Sequence, residues 1–150
     1  MNTQDNAKFH IVLVSGVVEK NGKYLIAQRS FDEIQAPGKW ALPGGKVELF
    51  TKENDLDVLE KTLEKEIEEE VAVRIHPKPV YVKSSSFTRI DEATVVGILF
   101  LCKWKSGKAE PLEDTIKVAW VGMNELDNFV FCAGIENALK LADERRSSMN

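Results

Sequence analysis

Glu66, Glu69 and Glu70 stand at i, i+3 and i+4, a spacing that puts three carboxylates on one side of a helix. At about 100° per residue their mean direction falls roughly 70° from the apolar stripe of Leu56, Leu59, Leu63 and Ile67, at the edge of the face that must be buried. Glu68 points roughly 150° away from them and reads as a solvated charge. Carboxylates crowded on one ridge repel one another unless a cation or protons intervene. Oxygen-only donors suit a hard ion, so Mg²⁺ is the expected cofactor, with Mn²⁺ as the substitute. Such a site keeps waters or a substrate phosphate among its ligands. The upstream run Pro43-Gly44-Gly45-Lys46 fits: its glycines let backbone approach a metal or phosphate, and Lys46 carries charge for a phosphate.

The elements that must hold these groups follow from local patterns. Residues 9–18 and 24–28 are β-prone and flank Lys20-Asn21-Gly22-Lys23, whose Asn-Gly pair predicts a tight hairpin. Residues 30–39 contain Pro37-Gly38 and read as a loop. Residues 40–42 form a short extended piece that Pro43-Gly44-Gly45 should stop. The apolar stripe predicts a helix over 55–71, and Pro77 and Pro79 bar its continuation. Strands are expected at 80–83, 94–104 and 116–121, with Phe87 in a loop after Ser84-Ser85-Ser86 and Gly107 turning the chain. A helix over 133–146 closes the chain, its Arg145-Arg146 suited to the C-terminal dipole. Hairpins among irregularly alternating helices and strands predict an α+β fold with a mixed sheet.

Composition narrows the function. The chain has 150 residues, 43% hydrophobic and 29% charged, with a net charge of −4. This suits one domain over 1–150 with loose ends at 1–6 and 147–150. The charge is unevenly placed: residues 53–70 hold nine acids and two bases, a net −7, against +3 for the other 132 residues. No broad basic face serves general nucleic-acid binding, and no apolar run is long enough for a membrane helix. The chain's start has no signal-peptide pattern. Cys102 and Cys132 lie in apolar surroundings and read as buried thiols of a reducing cytoplasm; His10 and His76 have no ligand partner nearby in sequence.

With these residues in view, Gly44-Gly45-Lys46-Val47-Glu48 followed by Lys65-Glu66-Ile67-Glu68-Glu69-Glu70-Val71-Ala72-Val73 resembles the signature of the Nudix hydrolase family, G-x5-E-x7-R-E-U-x-E-E-x-G-U with U a bulky aliphatic residue. The approach Gly38-Lys39-Trp40-Ala41-Leu42-Pro43 and the strand Tyr24-Leu25-Ile26-Ala27-Gln28-Arg29 are similar to that family's entry into its motif. Gly45 to Glu66 spans 21 positions where the pattern has 15, so six residues are inserted. The first glutamate of the pattern falls on Thr51 counted forward, and on Asp57 counted back from Lys65, the count preferred here. Lys65 and Ala72 replace the pattern's arginine and last glycine, and Asp57 with Lys65 is expected to substitute for the usual bracing ion pair.

The resemblance implies an α/β/α sandwich and Mg²⁺-dependent hydrolysis of a nucleoside diphosphate linked to another moiety. It implies metal ligation by Glu69, Glu70, Glu66 and the Gly44 carbonyl, with Glu66 a ligand or the base for the attacking water. An acid a few residues before an aromatic on a late strand points to Asp114, with Glu113 beside it, ahead of Trp120. Arg29, Lys39 and Lys46 are candidates for phosphate contacts, and Trp40 or Phe87 for stacking on a base. Three readings stand: a pyrophosphohydrolase of a nucleoside triphosphate (an oxidised one among the options), ADP-ribose or a dinucleoside polyphosphate; a non-catalytic nucleotide-binding module on the same fold; and an unrelated interaction domain whose acidic helix is only solvated. A homodimer stays open.

Overall fold

The computed structural model describes residues 9–49 and 54–149. Eight strands form one mixed sheet: β1 (Ile11–Lys20), β2 (Lys23–Arg29), β3 (Trp40–Ala41), β4 (Gly44–Lys46), β5 (Arg74–Ile75), β6 (Val80–Thr88), β7 (Thr94–Ser106) and β8 (Thr115–Val121). Helix α1 (Val58–Val71) lies between β4 and β5. A 3-10 helix (Met123–Asn128) and α2 (Ile135–Ser148) follow β8. The path β3-β2-β1-β7-β5 forms the centre, with β4 on β1, β6 on β7 and β8 on β2. β1 and β7 are parallel over Ile11↔Val95 to Glu19↔Lys103, and the other pairings are antiparallel. Asn21 and Gly22 both have positive φ, 53° and 79°, the conformation the Asn-Gly hairpin demands.

Alternate residues of the strands feed two cores. Val14, Val18, Leu25, Ala27, Phe100 and Cys102 meet Leu63, Ile67 and Val71 of α1 on one face. Val17, Tyr24, Ile26, Leu99, Leu101 and Val121 meet Ala138, Leu139 and Ala142 of α2 on the other. The result is the α/β/α sandwich with a mixed sheet that the sequence predicts. Gly16 lets α1 close onto β1: a Cβ there would stand 2.9 Å from Cys102 Sγ and 3.1 Å from Ile67 Cδ1.

Four local expectations change. α1 begins at Val58, three residues late, because Asp57 adopts a left-handed φ of 55°. Leu56 therefore leaves the apolar stripe and is 73% exposed. Gly44 and Gly45 do not stop the chain; they form β4 by pairing with Ser15 and Val14. β6 runs past its expected end at residue 83 through Ser84, Ser85 and Ser86, whose pairing with Ile98, Gly97 and Val96 of β7 overrides their weak strand preference, and Phe87, expected in a loop, rides on the same strand. α2 continues through Ser148, so residues 147 and 148 are helical rather than part of a loose end. Gly107 turns the chain as expected, with φ 96°, and Cys102 and Cys132 are free thiols. Among the described residues no helix is long and apolar enough to cross a membrane.

Leu63 is fully buried at the centre of the α1 core. Leu63→Ala should lower the unfolding free energy by about 2–5 kcal/mol. Urea denaturation measures it, and a loss under about 1 kcal/mol would contradict this packing.

Candidate active site

The site is assembled where β4 passes between β1 and α1. Glycine lets β4 lie this close: a Cβ on Gly44 would fall 2.1 Å from the Val14 carbonyl oxygen, and one on Gly45 would fall 2.5 Å from Glu66 Cδ, at the movable end of that side chain. The strand is pinned from both ends, since Gly16 N–H donates to the Pro43 carbonyl at 3.0 Å and Val47 N–H to the Val12 carbonyl at 2.8 Å. The backbone thereby touches both carboxylates on the inner edge of α1, and Gly44 N–H donates to Glu70 Oε1 at 3.3 Å.

Glu66 and Glu70, one turn apart, are hydrogen-bonded to each other. Burial, the Glu66 charge and the nearby Glu113 charge push Glu70 up to about 8, against a smaller opposing pull from the Gly44 N–H. Glu66 is raised too, by burial first and then by the charge of Glu69. Around neutrality Glu70 therefore holds a proton and donates it to Glu66. Glu69, third of the expected trio, turns outward to Lys65, with Oε1 3.5 Å from Nζ. Among the described residues no three His, Cys, Asp or Glu side chains are gathered to hold a metal by themselves. The trio is thus a pair plus a neighbour held by a lysine.

The expected brace is different as well. Lys65 Nζ lies 3.7 Å from Glu48 Oε2, so the loop after β4 is tied to α1 through Glu48, not Asp57. Asp57 sits at the N-cap position of α1, eight residues and about 12 Å of helix from Lys65. Both partners of the Glu48 bridge are exposed, so it orients more than it stabilises. Thr51, the other alignment for the motif's first glutamate, lies outside the described residues.

The carboxylate pair opens into a cleft of about 380 Å³. Arg29, Lys46, Glu113 and Asp114 line it, as the sequence suggests for all four, together with Gln28 and Glu33. The Glu113–Asp114 loop is stitched to the end of α1 by Glu110 N–H to the Val71 carbonyl at 3.0 Å and Leu112 N–H to the Glu70 carbonyl at 2.9 Å. Glu113, in a left-handed conformation with φ 52°, is the loop acid whose charge reaches Glu66 and Glu70. The Asp114 backbone carbonyl accepts from Ser30 N–H at 3.0 Å. Arg29 is held by Glu33 at 3.3 Å and by the Gln35 carbonyl at 2.8 Å. Gln28 and Glu33 escaped the sequence reading, since a loop without periodicity does not say which of its side chains turn inward.

Three candidates lie elsewhere, among them Phe87, which stands on β6 outside the cleft lining. Trp40 does not line the cleft; its ring packs edge-on against Phe129 at 5.1 Å between centroids and joins the α2 core, because β3 turns that side of Trp40 toward the 129–131 segment. Lys39 is outside the lining too: its carbonyl accepts from Arg29 N–H at 2.9 Å, and its exposed ammonium acts on Cys132 instead.

Oxygen donors alone, half-buried beside a backbone with no side chains in the way, fit a hard divalent cation. Glu66 and Glu70 would hold it directly, with Gly44 and Glu69 close by.

Two predictions follow from this packing. Gly44→Ala drives a Cβ into strand backbone and should cost about 1–3 kcal/mol. Gly45→Ala meets only the mobile end of Glu66 and should cost less stability while displacing that carboxylate; paired thermal melts decide, and equal losses would refute the distinction. The second concerns pH. Because the folded state raises Glu70 from 4.5 to about 8, its proton stabilises the fold fully below the unfolded carboxyl range and ceases to do so as pH rises through about 8. The metal-free protein should lose Tm between these limits, and Glu70→Gln should flatten that slope; an unchanged slope would remove Glu70 as its source.

The geometry agrees with comparisons to known proteins. The family model for the NUDIX domain matches residues 9–141. A nucleoside triphosphatase, NudI, of Enterobacter sp. (strain 638) is 27% identical over 127 residues, covering 77% of this chain and 86% of its own. The crystal structure of the MutT protein from Methanosarcina mazei Go1 superposes with TM-score 0.75 at 23% identity, covering 93% of this chain and 96% of that one. A bifunctional NMN adenylyltransferase/ADP ribose pyrophosphatase from Francisella tularensis, crystallised with AMP and a Mn ion, gives TM-score 0.69 at 18% identity, covering 95% of this chain and 44% of that one. The two structures share the fold with this chain. With its motif region built as strand, glycines and paired glutamates, this chain belongs to the NUDIX hydrolase family.

Proposed function

We propose that this chain hydrolyses the pyrophosphate linkage of a nucleoside triphosphate or another nucleoside diphosphate derivative, using Mg²⁺ or Mn²⁺, in the cytoplasm. The observation that carries this reading is the half-buried Glu66–Glu70 pair pressed against the Gly44–Gly45 backbone at the floor of the cleft. Family membership and the NudI likeness support a nucleoside triphosphate first. The likeness to an ADP ribose pyrophosphatase keeps ADP-ribose as the second substrate to test.

The bound cation supplies two things, acidity to a water and screening of phosphate charge. The chain's own groups do the rest. Deprotonated Glu70 and Glu66 offer oxygen donors, and either takes the proton of the attacking water, a contribution of about 10²–10⁴-fold for a positioned base. Glu113 stands close enough to raise both and is the further candidate for that role, with Asp114 beside it. Lys46, exposed on β4, and Arg29, anchored by Glu33, meet the phosphates from the two walls. Glu69 remains a reserve donor that must leave Lys65 to take part. Two free thiols, Cys102 and Cys132, support a reducing compartment.

A product-identified screen of nucleoside triphosphates and ADP-ribose with Mg²⁺ tests the reading. Glu70→Gln and Glu66→Gln should each lower kcat by at least about 10²-fold while the protein still unfolds cooperatively. Glu69→Gln should cost less than either. Absence of turnover on every member of the panel, or undiminished turnover in Glu70→Gln, would overturn it.

A further inference from the structure

Gly97 stands near the middle of β7, and nothing in the fold asks for a glycine there. Each of the other eight glycines either has a positive φ or lies so close to a neighbour that a Cβ would fall within 3.0 Å of it. Gly97 has neither feature. Among the described residues the atom nearest to a Cβ at this position is Ser85 Oγ, at 3.7 Å. No bulge lies there, since the pairing with Leu13 of β1 and Ser85 of β6 passes through Gly97 in unbroken register. A glycine inside a strand costs stability, and where neither a bulge nor a close backbone accounts for it, it marks space left for an approaching ligand.

That space has defined walls. Strand pairing sets Leu13, Gly97 and Ser85 in one row across β1, β7 and β6. By alternation the row belongs to the sheet face on which Val17, Leu99 and Leu101 meet α2. Val95 and Leu99, both buried, flank Gly97 on that face, with roughly 13 Å between their Cα positions. Half-exposed Phe87 pairs with Val95 and closes the outer corner. The α2 core reaches Leu99 but not the next row, so Leu13 and Gly97 stay partly exposed. The floor is therefore flat and apolar, with the Ser85 hydroxyl at its rim.

The notch continues the catalytic cleft. Lys46 lines that cleft and pairs with Leu13, so its side chain leaves β4 on the same face as the notch. Gly97 is two strand spacings, about 10 Å, from Lys46. A substrate whose phosphate meets Lys46 has this row within reach of the group that the phosphate carries. Resting on the hydrolase reading above, we propose that Gly97 is a specificity-determining residue. The flat ring of the nucleoside lies across Leu13 and Gly97, between Val95 and Leu99, and the missing side chain sets the size of ring admitted. The Ser85 hydroxyl meets the polar edge of that ring.

Gly97→Val fills the notch with a residue that strands favour, so its Tm should equal or exceed that of the wild type, and its Mn²⁺ affinity should be unchanged. Its KM for nucleoside triphosphates should rise at least about tenfold, with a much smaller change in kcat. Gly97→Ala should fall between the two, and it carries the comparison if the valine variant does not fold. In parallel, adenosine, guanosine, cytidine and uridine are titrated into the wild type while the Gly97 amide resonance is followed by NMR. These neutral nucleosides have no scissile bond and need no cation, and at least one should shift the resonance saturably. Wild-type KM in folded Gly97 variants, or a Gly97 resonance that no nucleoside moves, would overturn the proposal. A wild type that hydrolyses no nucleotide while Gly97 still responds to a nucleoside overturns the hydrolase reading and upholds the seat.

Discussion

The contact on which this structure depends is that of the Gly44–Gly45 backbone with two glutamates on one side and β1 on the other. A side chain at Gly44 would enter the Val14 carbonyl, and one at Gly45 would push the Glu66 carboxyl aside. The approach lets β4 complete its ladder with β1 while the Gly44 N–H reaches Glu70 on α1. It also shields the carboxylates from water, which lifts Glu70 to about 8. A half-buried carboxyl pair is poorly stabilised when both groups are ionised, and a divalent cation offers the charge that the surrounding protein withholds.

The rest of the fold positions the two sides of that contact. Leu63, Ile67 and Val71 fix the rotation of α1 on the sheet, and that rotation puts Glu66 and Glu70 at the buried edge while Glu68 stays outside, paired with Arg74. The loop before β8 closes the far wall by hydrogen-bonding to the last carbonyls of α1. Glu113 is thus carried to the pair by the same helix that carries the pair. Trp40 anchors β3 from the opposite core, so Arg29 is placed by strand pairing and its own bonds to Glu33 and Gln35.

Much of this was legible in the sequence, for physical reasons that also explain the gaps. The i, i+3, i+4 glutamates and the apolar stripe are periodic, and a helix converts period into direction, so the carboxylate ridge and its position beside the buried face were readable. The Asn21-Gly22 hairpin was equally readable, because few residue pairs accept two positive φ angles. Long-range facts left no such trace. β4 is a strand only through its pairing with β1, and the serines of β6 are extended only through β7. The Lys65 partner depends on how a loop with six inserted residues returns to the helix, and spacing along the chain pointed to Asp57, whereas Glu48 makes the bridge. Glu69 had the right phase for the trio, but its rotamer answers to Lys65, one turn away.

The central claim is that Glu66 and Glu70, set by the two glycines, form the cation-binding floor of the cleft. Titration with Mn²⁺ followed by electron paramagnetic resonance tests it without recourse to any substrate. The account predicts saturable Mn²⁺ binding in the wild type, a large loss of affinity in Glu66→Gln and in Glu70→Gln, and a smaller loss in Glu69→Gln. Wild-type affinity retained by Glu66→Gln and Glu70→Gln together would contradict it.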